Sequence, residues 1–334
     1  MVIHEKSPPS SSLSKRGIEG GILDQARHLT RQRFGRTIQL YAPLYLSNEC
    51  IDICKYCGFS LENKITRKTL SVEEVLSEAN YLTSQGFKHL LLVSGEHPRL
   101  VSPGYLKEIA TKLKPRLASL SIEVAPFREE EYRELISAGV DGVVIYQETY
   151  NQKRYEEVHL AGPKKNYSRR LEAPEAAARA GMRRIGMGIL VGLSEWKDDL
   201  EALIQHVRCM KKKFWQTEFT VSLPRLRPCA GNYEISSPVS DEQFLKMICT
   251  LRIALPDVGI LLSTRESPQL RDRLIGVGVT QMSAGSRTEP GGYLKPEESE
   301  GQFEIEDMRT PAEVAAAIMA HGYEPVWKDW ENIL

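Results

Sequence analysis

The chain has 334 residues, and its 44 Lys and Arg balance 44 Asp and Glu, leaving a formal net charge of zero. That length holds one large domain or two small ones, and the balanced charge argues against a dedicated nucleic-acid binder, which carries a basic surplus. No apolar run is long enough to cross a bilayer, and Met1–Arg16 lacks the apolar centre of a signal peptide, so a cytoplasmic protein with reduced thiols is expected.

In chain order, residues 1–21 (Ser-Pro-Pro-Ser-Ser-Ser, then a glycine-rich stretch) read as a flexible N-terminal tail, and 22–334 as one domain with a C-terminal extension. A strand Ile38–Ser47 leads into a cysteine-bearing loop. Helix Val72–Gln85, strand His89–Ser94, helix Tyr105–Lys112, strand Leu120–Ala125, helix Glu129–Ala138 and strand Gly142–Gln147 follow. Helix Ala173–Ala180 precedes strand Arg184–Val191. Helix Leu200–Lys211 precedes strand Glu218–Leu223, and helix Asp241–Ala254 precedes strand Gly259–Ser263. The run Lys211-Lys212-Lys213 ends its helix where cations suit the helix dipole, and it reads as a solvated end. A last strand, Thr280–Ser283, is followed by helix Pro311–Ala320 and the segment Pro325–Trp330. About eight strand–helix units over roughly 290 residues predict a (β/α)8 TIM-type barrel. An open doubly wound sheet is the alternative, because closure is not readable from pattern.

The loop after the first strand carries Cys50, Cys54 and Cys57 in a C-x3-C-x2-C spacing. Three thiolates hold three irons of a cubane cluster and leave the fourth open to something that is not protein. A zinc site completed by His89 or His97 is the competing reading. Zinc ribbons carry paired Cys-x2-Cys knuckles, and only Cys54 and Cys57 form such a pair. Cys209, Cys229 and Cys249 are scattered and are expected to pack as small apolar side chains.

Barrel active sites lie at the C-terminal ends of the strands. Polar residues gather there: Ser94-Gly95-Glu96 after the second strand, Glu148 after the fourth, Arg225 and Arg227 after the sixth. Arg265 and Glu266 follow the seventh, and Ser283 and Arg287 the eighth. Each has a plainer reading alone: Glu96 as a helix start, Glu148 as a solvated carboxylate, the arginines as surface ion pairs. A guanidinium grips a carboxylate bidentately, so Arg265 and Arg287 suit a substrate that carries one.

The cysteine triplet, with the aromatic Tyr56 before its last member, resembles the radical S-adenosylmethionine superfamily. Leu44-Tyr-Leu-Ser-Asn, Cys54-Lys-Tyr-Cys-Gly-Phe-Ser, Ser94-Gly-Glu-His, Val144-Ile-Tyr-Gln-Glu-Thr-Tyr, Pro224-Arg-Leu-Arg-Pro-Cys, Ser263-Thr-Arg-Glu-Ser-Pro, Pro290-Gly-Gly-Tyr and Pro325-Val-Trp-Lys-Asp-Trp resemble one family within it. That family is the 2-iminoacetate synthases (ThiH), the tyrosine lyases of thiazole biosynthesis. The resemblance implies a 4Fe–4S cluster on Cys50, Cys54 and Cys57, S-adenosyl-L-methionine on the open iron, and a flavodoxin- or ferredoxin-type reductant. It implies radical cleavage of the Cα–Cβ bond of L-tyrosine to 2-iminoacetate and p-cresol, with 5′-deoxyadenosine and methionine as co-products. A thiazole synthase (ThiG) would then take the imine.

Residue by residue, the resemblance assigns Ser94, Gly95 and Glu96 to the amino group of S-adenosylmethionine. Glu148 falls to its ribose hydroxyls, Arg170 to its carboxylate, and Tyr56 lies near its adenine. Arg265 with Ser283 would grip the substrate carboxylate, with Arg287 a further candidate for the same pocket. Glu123 and Glu266 are candidates for the base. A hydrogenase-maturation tyrosine lyase would add a second cysteine triplet, and no cysteine follows Cys249. A tryptophan lyase differs by pocket shape. A zinc or iron–sulfur module without catalysis would be told apart by iron content and colour.

Overall fold

The computed structural model describes residues 15–328 except 232. Eight parallel strands run through it: β1 (Thr37–Ser47), β2 (His89–Ser94), β3 (Ser119–Glu123), β4 (Gly142–Glu148), β5 (Arg184–Ile189), β6 (Glu218–Ser222), β7 (Gly259–Leu262) and β8 (Gln281–Ser283). Each pairs with the next, and β8 returns to β1 through Gln39–Gln281, Leu40–Met282 and Tyr41–Ser283. The sheet is therefore closed, and the open-sheet alternative falls.

The two faces of β1 show why these residues fold this way. Side chains alternate across a strand. Ile38, Leu40, Ala42, Leu44 and Leu46 are all fully buried in the core between the sheet and its helices. Tyr41, Pro43 and Tyr45 face the other way and line the barrel interior. The strand is thus apolar toward the helices and carries phenols where the chemistry sits.

The helices are α1 (Lys15–Phe34), α2 (Val72–Ser84), α3 (Pro103–Leu113), α4 (Glu129–Ala138), α5 (Gln152–Val158), α6 (Tyr167–Arg179), α7 (Trp196–Lys213), α8 (Asp241–Ala254), α9 (Pro268–Leu274) and α10 (Pro311–Ala320). The tail boundary expected at 21 falls inside α1, while 1–14 lie outside the described residues. Ala26 of α1 packs with Cys249 and Val277, and Arg252 of α8 stacks 4.5 Å over the Phe34 ring. α6 starts at Tyr167, earlier than the amphipathic pattern suggested, because the Asn166 side chain caps it by accepting from the Arg169 N–H. That early start puts Arg170 on a rigid first turn. α5 and α9 are only seven residues each, too short to announce themselves by periodicity.

A ninth strand, β9 (Glu324–Val326), adds to the outer start of β1, and Trp327 meets Phe87 edge-on at 5.3 Å. Among the described residues no helix is long and apolar enough to cross a membrane.

Candidate active site

The strand ends open into a cavity with about 1360 Å³ of empty space, its mouth included. Its walls hold Cys50, Cys54, Cys57, Tyr56, Ser94, Gly95, Glu96, Glu148, Arg170, Arg265 and Ser283. The structure thus brings together eleven of the twelve expected site residues, which are scattered over more than two hundred positions of chain.

The cysteine loop is built by backbone bonds and one arginine. Cys57 N donates to the Cys54 carbonyl, Lys55 N to Val158, and Ile51 N to Glu96. Arg67 donates to four carbonyls of the loop, those of Asn48, Phe59, Ser60 and Asn63. A guanidinium with five donors suits such a hub. Burial, then Cys57, pushes the Cys50 thiol up to about 12, and burial holds Cys54 well above the ordinary thiol value. Crowded buried thiols of this kind become thiolate ligands only against strong positive charge, which cluster irons carry.

The zinc reading loses both of its expected fourth ligands. Neither His89 nor His97 lines the cavity with the three cysteines. His89 opens β2 at the far end of the barrel, in a small hollow with Gln39 and Arg184. His97 accepts from the Leu100 N–H. Three cysteines on one open cavity wall, with no histidine beside them among the described lining residues, fit a cubane instead.

Beside the cysteines lies a ring of alternating charge. Arg170 Nη1 donates to Glu96 at 2.8 Å, and its Nε donates to the Tyr146 carbonyl at 2.7 Å. Lys164 Nζ sits 2.7 Å from Glu148 and 3.9 Å from Glu96. Burial alone would raise the Glu148 carboxyl, but Lys164 and Arg170 outweigh it and hold it below its ordinary value. Burial likewise opposes the charge on Lys164, and Glu148 outweighs that too. Both groups are ionised by their neighbours, not by water.

Two backbone details single out this part of the cavity. Glu148 has φ +70°, the one described non-glycine residue with positive φ, and the β4–β5 register shifts at the same place. Strain of this kind persists where surrounding structure over-determines it. At Gly95 a Cβ would stand 2.3 Å from the Glu49 carbonyl oxygen, so only glycine brings the β2 end against the cysteine loop.

Tyr56 is buried and lines the cavity, its hydroxyl 2.7 Å from His159 Nε2. Burial, then Lys164, pushes His159 down to about 3, so the ring is neutral. Its Nδ1 lies 2.8 Å from the Tyr155 carbonyl and must donate to it. Nε2 therefore accepts from Tyr56, which locks that phenol in place.

Deeper in the barrel Arg265 stacks with its guanidinium 3.3 Å from the Phe303 ring centroid. Among the described residues it has no carboxylate partner; its other contact is a long bond to the Arg225 carbonyl. Ser283 is buried, with its Oγ accepting from the Thr264 N–H, and it shares the cavity wall with Tyr41. Glu123, Tyr41, Tyr45 and Tyr146 complete this end. Burial pushes the Glu123 carboxyl up to about 7, partly countered by Arg265.

Two expectations are corrected. Arg287 is exposed and outside the cavity. Gly285, at φ +58°, turns the chain after β8, so Ser286 and Thr288 face in and Arg287 faces out. Glu266 is not a free base: it is buried and clamped by Arg225 and Arg227. Of the remaining cysteines, Cys249 packs in the core, Cys209 is exposed, and Cys229 Sγ lies 3.2 Å from the Tyr56 carbonyl, against the cluster loop.

Sequence reasoning missed Lys164, Arg67, His159, Gln302 and Phe303. Lys164 carried a faint signal, a lysine just ahead of Arg170. Gln302 and Phe303 carried none.

A closed parallel barrel with a cysteine triplet and a charged cradle at its mouth defines a radical S-adenosylmethionine enzyme. The sequence profile of the Radical SAM superfamily matches residues 44–207, and that of the Biotin and Thiamin Synthesis associated domain matches 222–324. Both segments contribute strands to the one barrel. The chain is 44% identical over 314 residues to the 2-iminoacetate synthases of Escherichia coli (strain K12) and Salmonella typhimurium, covering 94% of this chain and 83% of each of theirs. The crystal structure of HydG, a maturase of the [FeFe]-hydrogenase, superposes with a TM-score of 0.90 at 34% identity, covering 95% of this chain and 71% of that one. The chain belongs to the 2-iminoacetate synthase family.

Proposed function

We propose that this protein is a tyrosine lyase that makes 2-iminoacetate for thiazole assembly. The observation that carries the reading is the juxtaposition, in one cavity, of the cysteine triplet, the Glu96–Arg170–Lys164–Glu148 ring, and an Arg265 with no carboxylate of its own. Cys50, Cys54 and Cys57 hold the 4Fe–4S cluster, and Ser94, Gly95, Glu96, Glu148, Arg170 and Tyr56 hold S-adenosylmethionine. When bound and reduced, these groups supply a hydrogen-abstracting carbon radical.

The chain's own residues decide where that reactivity falls. Arg265, with Ser283 beside it, receives the tyrosine carboxylate. Hydrogen abstraction is selective only when the substrate is held in one pose. Glu123 stands in the same cavity without an ion-pair partner among the described residues, and it takes a proton from the substrate ammonium so that a neutral amine faces the radical. Loss of an amino hydrogen atom then breaks Cα–Cβ, leaving HN=CH–COO⁻ and a ring fragment. One electron to start and one electron with one proton to quench that fragment give p-cresol. Tyr41, Tyr45, Tyr146 and Phe303 line this end with rings and keep water from it.

The electrons come from a flavodoxin- or ferredoxin-type donor, in a cytoplasmic setting. The imine hydrolyses in water, so a thiazole synthase (ThiG) takes it directly. The test is an anaerobic incubation of reconstituted protein with S-adenosylmethionine, a strong reductant and L-tyrosine, beside a parallel tube with L-tryptophan. p-Cresol, 5′-deoxyadenosine and glyoxylate from the tyrosine tube alone support the reading. Product from tryptophan instead would move it to a tryptophan lyase, and no 5′-deoxyadenosine from cluster-loaded protein would overturn it.

A further inference from the structure

The mouth of the barrel is crossed by a strap, residues 288–307, that touches both halves of the site. At one end Glu298 pairs with Lys68, and Glu300 accepts from the Thr66 N–H, next to the cysteine loop. At the other, Glu306 pairs with Arg227, and the N–H groups of Glu306 and Asp307 donate to the Thr264 carbonyl, beside Arg265. Between these anchors the Gln302 N–H donates to the Thr288 carbonyl at 3.0 Å. The Gln302 carbonyl lies where a Cβ on Gly58 would stand, at 2.3 Å, so the strap presses directly on the residue after Cys57.

The Gln302 side chain is the part that reaches chemistry. Its Oε1 accepts from the Tyr45 hydroxyl at 3.0 Å, and its Nε2 donates to Cys57 Sγ at 3.7 Å. The amide orientation follows from its partners. The buried Tyr45 phenol stays protonated and donates, so it requires the amide oxygen. The NH₂ is then left facing the sulfur. Flipping the amide would set an NH₂ on the Tyr45 side and a carbonyl oxygen against a thiolate.

We propose that Gln302, oriented by Tyr45, is a positioning residue that donates a hydrogen bond to the Cys57 thiolate and thereby raises the reduction potential of the cluster. The proposal rests on the cluster reading given above. Reduction adds negative charge, which spreads onto the ligand sulfurs, and a donor aimed at one of them stabilises the reduced state more than the oxidised one. Hydrogen bonds to cluster sulfurs are among the levers that set such potentials. The strap that crosses the mouth of the cavity carries the donor to the cysteine loop.

The experiment is a spectroscopically monitored redox titration of the reconstituted full chain, with iron and sulfide measured on each sample. Gln302→Met keeps the length and bulk of the side chain and removes the N–H. Its cluster should be reduced about tenfold less at a fixed applied potential, a shift of about −59 mV for a one-electron couple. Tyr45→Phe leaves the donor in place but frees its orientation, and should move the midpoint in the same direction by less. Tyr45→Phe also reports if the 302 variant fails to hold a cluster, because it leaves the Gln302 amide and the three cysteines in place. Midpoints equal to wild type in every variant that holds its cluster would overturn the proposal. A wild-type chain that holds no cluster would instead overturn the proposed function, so the two failures are distinguishable.

Discussion

Arg265→Ala should cut tyrosine turnover far more than it disturbs the cluster. In the native chain the guanidinium lies over the Phe303 ring, makes one long bond to the Arg225 carbonyl and has no ion pair with a carboxylate among the described residues, so most of its donors are available to a ligand. A bidentate pair with the substrate carboxylate makes two charge-assisted hydrogen bonds. At about 1.5–3 kcal/mol each, their loss amounts to roughly 3–6 kcal/mol. At about 1.4 kcal/mol per tenfold, kcat/KM for tyrosine should fall roughly a hundred- to ten-thousand-fold. Arg265→Lys keeps the charge but loses the fork and the flat stack, and should fall between the two, about ten- to a hundredfold below wild type. The assay is p-cresol formation over a tyrosine series, with 5′-deoxyadenosine measured in the same tubes. A loosely held substrate also lets the radical miss its target, so 5′-deoxyadenosine formed per p-cresol should rise. Iron content and cleavage of S-adenosylmethionine without tyrosine should stay near wild type. If kcat/KM stayed within about threefold of wild type in the alanine variant, the carboxylate clamp would be wrong.

Other expectations follow from the same geometry. Cys54→Ala removes one of the three proposed cluster ligands and should abolish cleavage of S-adenosylmethionine; retained cleavage would sink the cluster assignment. Lys164→Met strips a buried carboxylate of its nearest cation, 2.7 Å from Glu148. Breaking such a pair destabilises by about 3–5 kcal/mol, so denaturant midpoint and S-adenosylmethionine affinity should both drop, and no change in either would contradict the ring. Glu123 carries a carboxyl raised from 4.5 to about 7 by burial. The folded chain therefore holds a proton that the unfolded chain has already released, and this contribution to stability is present at low pH and lost as pH rises through that window. Wild type should lose stability relative to Glu123→Gln between about pH 5 and pH 8. Over the same range wild-type turnover should climb as the carboxylate forms, and the Gln variant should lack that limb. Parallel profiles for both proteins would remove Glu123 from the mechanism.

The parts of the site that sequence reading reached were those held by short, local patterns. The cysteine triplet sits within one loop, Ser94-Gly95-Glu96 ends one strand, and Glu148 and Arg265 follow strands whose apolar runs are plain. The barrel itself was legible as a rhythm of strands and helices, but its closure depends on the β8–β1 register, a contact over about 240 positions that no local pattern encodes. Arg287 was misplaced because its position after the last strand was taken to face the pocket, and Gly285, at positive φ, turns the chain there. Glu266 looked like a free carboxylate because Arg225 and Arg227, which clamp it, lie some forty residues away in the sequence. Lys164 and Gln302 take their meaning wholly from neighbours brought in by the fold. A lysine in a basic stretch becomes the hub of two carboxylates, and a glutamine in an aperiodic strap becomes a donor to a cysteine 245 positions away. The expected tail boundary failed for a related reason: α1 is mostly polar, and its apolar contacts with α8 appear only in three dimensions.

The central claim is that tyrosine is held carboxylate-first on Arg265, with its amino group presented to the radical. Amino hydrogens exchange with solvent and carbon-bound ones do not. The decisive measurement is the mass of 5′-deoxyadenosine formed from unlabelled tyrosine in deuterated buffer. With tyrosine held this way, the 5′-deoxyadenosine formed with p-cresol carries a deuteron taken from the substrate nitrogen. Product with only protium at that carbon would mean that a C–H bond is attacked, and would contradict the pose on which the account rests.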